Sequence, residues 1–153
     1  MSMQKSGPEP VGQVRLELRK TIRASPARVF EAWTQPAQLK QWWGPEGVTC
    51  TEAEADLRVG GRYRIANRFP DGKVLWIAGE FEQIAPPHML VYSWRLESEA
   101  RPPERVTVRF EARADATEVI VVHELIPTAA IRDMHEQGWR GCLDGLQEHF
   151  SGA

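Results

Sequence analysis

Residues 127–150 read PTAAIRDMHEQGWRGCLDGLQEHF, a run of helix length in a chain that otherwise reads mostly as strand. Pro127-Thr128 is a helix start. Ile131, Met134, Trp139, Cys142, Leu143, Leu146 and Phe150 then recur near the 3.6-residue period. The segment is therefore expected to be one long helix with one apolar face. Gly138, Gly141 and Gly145 fall along a single strip of it. Each glycine costs roughly 1 kcal/mol in a helix interior relative to alanine, so three on one strip imply close backbone approach or volume left empty.

What this helix covers is read from the segments before it. In residues 117–125, Val119, Val121, His123 and Leu125 alternate with polar neighbours and share a face, which turns one histidine inward. Val106, Val108, Phe110 and Ala112 alternate in the same way, as do Leu90, Tyr92, Trp94 and Leu96. Pro70-Asp71-Gly72 is a tight turn. Closing it at Phe69 and Lys73 sets Tyr63 opposite Gly79, Ile65 opposite Ile77 and Asn67 opposite Leu75. Those pairs share the inner face, where Gly79 is expected to leave space beside Tyr63.

A turn at Arg58-Val59-Gly60 sets Glu54 opposite Arg64 and Asp56 opposite Arg62. The acidic row Glu52, Glu54 and Asp56 invites a metal reading and the arginines a phosphate reading. Cross-strand ion pairs on a solvated face account for both more simply. At the start of the chain Val14, Leu16, Leu18 and Ile22 form a one-sided strand broken only by Lys20. Ser25-Pro26 and Pro36 then open two short helices, the second stopped by Gly44-Pro45.

The order predicts an α+β fold: a curved antiparallel sheet of about six to seven strands wrapped around the long C-terminal helix, with two short helices after the first strand. Residues 1–12 read as a flexible N-terminal segment and 13–153 as a single domain. The net charge of −2 gives no reason to expect nucleic acid as a partner. No stretch reads as a signal peptide or a membrane span, so no membrane partner and a cytoplasmic location are expected. Cys50 and Cys142 read as buried free thiols, too few for a disulfide framework or a four-ligand zinc site.

Several motifs occur together in one order: Trp42-Trp43-Gly44-Pro45, Asp56 to Arg62, Pro86 to Trp94, and His135-Glu136-Gln137-Gly138-Trp139 with Leu143 and Leu146. In these the chain resembles the family homologous to the C-terminal domain of the heat-shock-protein-90 ATPase activator, within the START-like SRPBCC superfamily. The resemblance runs from about Leu16 to Phe150 and implies the helix-grip fold. That superfamily hosts transporters, cyclases, hydroxylase components and co-chaperones, so it implies function only loosely. The chain lacks the additional N-terminal domain of the eukaryotic activator, which argues against a chaperone partner.

No catalytic signature stands out. There is no Gly-x-Ser-x-Gly, Gly60-Gly61 does not open a helix, and His135-Glu136 lacks the second histidine of a zincin helix. His88, His123, His135 and His149 show no ligand spacing. No catalytic residue, metal ligand or cofactor is assigned. For His123 a core-edge position bonded to a backbone carbonyl is the simpler expectation, ahead of ligand contact or general base.

Large rings beside glycines point to a cavity between the sheet and the C-terminal helix. Its expected lining is Tyr63, Ile65, Asn67, Ile77, Tyr92 and Trp94 from the sheet, His123 from the last strand, and His135, Trp139 and Cys142 from the helix. The expected function is binding of a small apolar or amphipathic molecule. The alternatives are an enzyme of the cyclase or hydrolase type using the same pocket and a protein-interaction module; a homodimer is left open.

Overall fold

The computed structural model describes residues 14–45 and 47–151; the expected N-terminal segment lies outside them. Strand β1 (Val14–Ile22) is followed by helices α1 (Pro26–Thr34) and α2 (Pro36–Trp42). Strands β2 (Thr49–Ala55), β3 (Arg62–Arg68), β4 (Val74–Ala85), β5 (Met89–Leu96), β6 (Glu104–Arg113) and β7 (Ala116–Ile126) come next, and helix α3 (Ala129–Ser151) closes the chain. The seven strands form one antiparallel sheet in the order β1-β7-β6-β5-β4-β3-β2.

Local chemistry places the helix starts. Ser25 Oγ accepts from the Arg28 N–H at 3.3 Å, with Pro26 opening α1, and Thr128 Oγ1 accepts from the Ile131 N–H at 3.1 Å ahead of α3. Gly44, at φ +127°, takes the chain out of α2 in a conformation that side chains disfavour.

The registers follow the turn chemistry. Phe69 N–H donates to Lys73 O at 2.8 Å, and the pairs Tyr63/Gly79, Ile65/Ile77 and Asn67/Leu75 form as the turn requires. Glu54 likewise faces Arg64. Their ion pair does not form, however, because Arg64 reaches the other way. It holds Glu97 through two bonds of 2.7 and 3.0 Å and lies 3.9 Å over the Trp76 ring.

Trp139, Cys142, Leu143 and Leu146 of α3 are buried against the sheet, whose inner face supplies Val106, Val108, Phe110, Val119 and Val121. Met134, placed on the same apolar stripe by periodicity, is instead 71% exposed at the mouth of the helix–sheet gap. Leu125 is also turned out: φ is +63° there, and the pairing of β1 with β7 slips between Leu16/His123 and Val14/Ile126. Ile126 takes the buried position. Lys20, the break in the first strand's apolar set, reaches Asp144 of α3 at 2.7 Å.

Helix α3 also covers the backbone of the edge strand β1. Arg132 Nε donates to Arg15 O at 3.0 Å and Gln147 Nε2 to Thr21 O at 3.2 Å. The three helix glycines serve different ends. A Cβ on Gly145 would stand 2.6 Å from Trp42 O, so that glycine permits close approach of α2. A Cβ on Gly138 would meet nothing within 4 Å. Gly141 lines a polar groove with Thr21, Arg23 and Asp144, away from the ring-lined interior.

Gly79 does not leave space beside Tyr63. A Cβ there would stand 1.9 Å from Ser93 O and 2.8 Å from Tyr63 Cε2. The missing side chain lets the Tyr63 ring cross β4 and donate its hydroxyl hydrogen to Ser93 O at 2.7 Å.

Candidate functional site

Two apolar spaces lie between the sheet and the helices. The inner one, a cavity of about 30 Å³, is walled by Trp33, Leu39, Tyr63, Ile65, Phe81 and Tyr92. That is room for about two waters. The outer one, about 100 Å³, is walled by Asn67, Met134, His135, Gly138, Trp139 and Cys142. Trp43, Ile77 and Trp94 border both and form the partition.

The partition ring is anchored. Trp43 Nε1 donates to Asn67 Oδ1 at 3.1 Å, and the Trp43 and Trp139 rings meet edge to face at 5.5 Å. In the inner space Trp33 Nε1 donates to the Tyr92 hydroxyl at 3.4 Å. Burial pushes both the Tyr63 and the Tyr92 phenols well above the ordinary range. Burial also lifts the Cys142 thiol to about 12, so it is no nucleophile.

Behind the outer space sits a polar cluster. The Trp139 indole donates to Nδ1 of His123 at 3.0 Å. An indole N–H can only donate, so Nδ1 is unprotonated and the ring hydrogen is on Nε2. Nε2 gives that hydrogen to Glu104 Oε1 at 2.8 Å. His135 Nε2 donates to the same oxygen at 2.9 Å, and the two imidazoles stack at 4.5 Å. Arg101 stands 4.0 Å from the other carboxylate oxygen.

His123 is fully buried, Glu104 3% exposed and His135 14%. Burial alone would raise the Glu104 carboxyl, but hydrogen bonds from His123 and His135 outweigh it and hold the group down at about 2. Burial lowers His123; its bond to Glu104 opposes that, and coulombic repulsion between the two imidazoles adds to the lowering. The His123 bonding differs from the expected backbone carbonyl, because β6 places a carboxylate directly beside it.

Glu104, His123 and His135 bring three donor atoms within 4.8 Å of one another, a grouping that sequence spacing did not show. The donor set fits a divalent ion poorly. The Nε2 lone pair of His123 is occupied by the proton that the Trp139 bond leaves there, so a metal would have to displace it.

Of the expected lining, Tyr63, Ile65 and Tyr92 face the inner space, and Asn67, His135, Trp139 and Cys142 the outer. Ile77 and Trp94 face both. His123 faces neither, being shielded by Trp139 and His135. Sequence reasoning missed Glu104, although it shares the parity of Val106, Val108 and Phe110 and so belongs to the inner face. The strand was read only from Val106, two residues after Glu104, so the start of β6 went unseen. Trp33 and Trp43 also line these spaces and were not among the expected lining residues.

A curved antiparallel sheet gripping one long helix, with a ring-lined space between them, defines a helix-grip α+β protein. The family model described as "Activator of Hsp90 ATPase homolog 1-like protein" matches residues 23–151, and the chain belongs to this family. No curated protein matches it. Among solved structures, it is similar to protein CV1439 from Chromobacterium violaceum, with 24% identity and TM-score 0.79 over 89% of this chain and 96% of that one. It is also similar to the AHSA1 protein SPO3351 from Silicibacter pomeroyi, with 22% identity and TM-score 0.80 over 90% and 98%. CalU16 from Micromonospora echinospora shares the fold at 24% identity and TM-score 0.70, over 90% and 76%.

Proposed function

We propose that the protein binds a small apolar or amphipathic molecule between the sheet and α3. The observation that carries this reading is the shared wall: two apolar spaces have Trp43, Ile77 and Trp94 in common in their linings. The outer space opens beside exposed Met134 and the bare Gly138. A ligand seated there regains dispersion contacts that the lining rings lack. Displacing Trp43 from Asn67 would join the inner space to it. The inner space alone is too small for anything beyond water, so binding is expected to widen it.

Binding is favoured over catalysis by the titratable groups. In the outer space these are His135 and a thiol held protonated by burial, so the described lining presents no open acid–base pair to a ligand. Buried Cys50 and Cys142 are both free thiols, which suits a reducing compartment and supports a cytoplasmic location. No described helix is long and apolar enough to cross a membrane.

The test is titration with the neutral fluorophore N-phenyl-1-naphthylamine. Saturable one-to-one binding that quenches tryptophan emission is expected, and Gly138→Leu should weaken it at least about tenfold, by roughly the loss of one well-buried apolar contact region. The reading fails if wild type shows no saturable binding, or if a folded Gly138→Leu variant binds undiminished.

A further inference from the structure

The polar cluster leaves one ring nitrogen, that of His135, without a hydrogen bond. Both ring nitrogens of His123 are engaged, by Trp139 and by Glu104. His135 spends Nε2 on Glu104, and no hydrogen bond reaches its Nδ1 among the described residues. Among the described residues no buried side-chain nitrogen or oxygen lacks a partner, so His135 Nδ1 is open to solvent or ligand. His135 lines the outer space beside Trp94, Gly138 and Trp139.

Bonding polarity then fixes what that atom can do. A carboxylate accepts and cannot donate, so the bond to Glu104 keeps a hydrogen on Nε2 of His135. In the neutral ring Nδ1 is therefore a bare lone pair. It is held in place by the stack on His123 and by the Trp94 ring, 4.7 Å away. The described lining of the outer space contains no lysine or arginine, and the nearest formal charge behind His135 is the negative one of Glu104.

We infer that His135 Nδ1 accepts a hydrogen bond from the ligand, and that the site selects neutral ring compounds carrying a hydroxyl or N–H donor over both plain hydrocarbons and carboxylates. This rests on the binding role proposed above and adds the class of ligand. The donor satisfies a lone pair that an apolar ligand would strip of water. A carboxylate would bring acceptor to acceptor and negative charge towards Glu104.

Three probes of one shape test it: naphthalene, 2-naphthol and 2-naphthoate, titrated into the full chain at about pH 8. The naphthol is expected to bind about fivefold tighter than naphthalene, the net effect of one hydrogen bond, and the naphthoate weaker than both. In His135→Leu the naphthol advantage should vanish while naphthalene still binds. Should that variant not fold, the wild-type ¹⁵N resonance of His135 Nδ1 should shift with naphthol and stay with naphthalene. Equal binding of naphthol and naphthalene to wild type, or naphthoate binding tightest, overturns the inference and leaves the binding role standing. Failure of all three probes to bind overturns both.

Discussion

The Trp139 indole donates to Nδ1 of His123 across 3.0 Å, and this bond determines which end of a fully buried imidazole carries its proton. The donor comes from α3 and the acceptor from β7, so the tautomer is correct only when helix and sheet are docked. Trp139→Phe removes the donor and leaves Nδ1 unpaired in the core. A loss of about 1–3 kcal/mol for the stranded group is expected, with a further cost for lost ring volume. The ¹⁵N shifts of His123 should then report mixed tautomers. A single unchanged tautomer would show that Glu104 alone sets it.

Acid should destabilise the fold in two stages. His123 is lowered from its ordinary 6.5, so the unfolded chain takes up that proton first. Its contribution is complete above 6.5 and declines as the pH falls below. Glu104 is lowered from 4.5 to about 2. Its contribution is complete above 4.5 and is lost between there and about 2. At 1.36 kcal/mol per unit the second stage is worth about 3 kcal/mol. Urea midpoints between pH 8 and about pH 2 check this, and Glu104→Gln should flatten the lower stage. A midpoint that rises on acidification would contradict the assignment.

The helix glycines should separate on substitution. Gly138→Ala adds a Cβ where nothing stands within 4 Å and should stabilise by up to about 1 kcal/mol through helix propensity. Gly145→Ala meets Trp42 O at 2.6 Å, and Gly79→Ala meets Ser93 O at 1.9 Å, so both should lower the melting temperature, Gly79→Ala the more. Equal melting temperatures for the two helix variants would count against the close approach of α2 to α3.

On the outer face, double-mutant cycles should find Arg64 coupled to Glu97 more strongly than to Glu54. Two bonds join the first pair, whereas Glu54 is only the strand neighbour. Coupling should fall with added salt, since both groups are partly exposed. A larger coupling to Glu54 would restore the charge ladder suggested by the sequence.

The sheet was legible because its information is local. Turn residues 70–72 set the β3–β4 register, and alternation sent Tyr63, Ile65 and Ile77 inward without knowledge of any distant contact. The motifs around Trp42 and Trp139 carried the family. What escaped was non-local. That Glu104 lies against His123 and His135 depends on β6, β7 and α3 converging, and no spacing rule links residues 19 and 31 positions apart. Periodicity also failed where geometry broke step: at Leu125, where the strand bulges, and at Met134, where α3 overhangs the sheet. Gly79 and Gly138 look alike in sequence, yet one marks the tightest contact beside the cavity and the other an open space.

The two borders of the sheet differ in how they treat a neighbouring strand. Along β1, Arg132 and Gln147 occupy the carbonyls of Arg15 and Thr21, so an incoming chain finds those acceptors already taken. At the opposite border β2 displays Glu52 and Glu54, with Asp56 just beyond. Two copies meeting there would set like charges against one another at neutral pH. Runaway edge-to-edge assembly, the standing hazard of an open sheet, is thus checked sterically on one side and by charge on the other. The second safeguard weakens once those carboxylates are protonated, which makes β2 the border where acid-induced aggregation would begin.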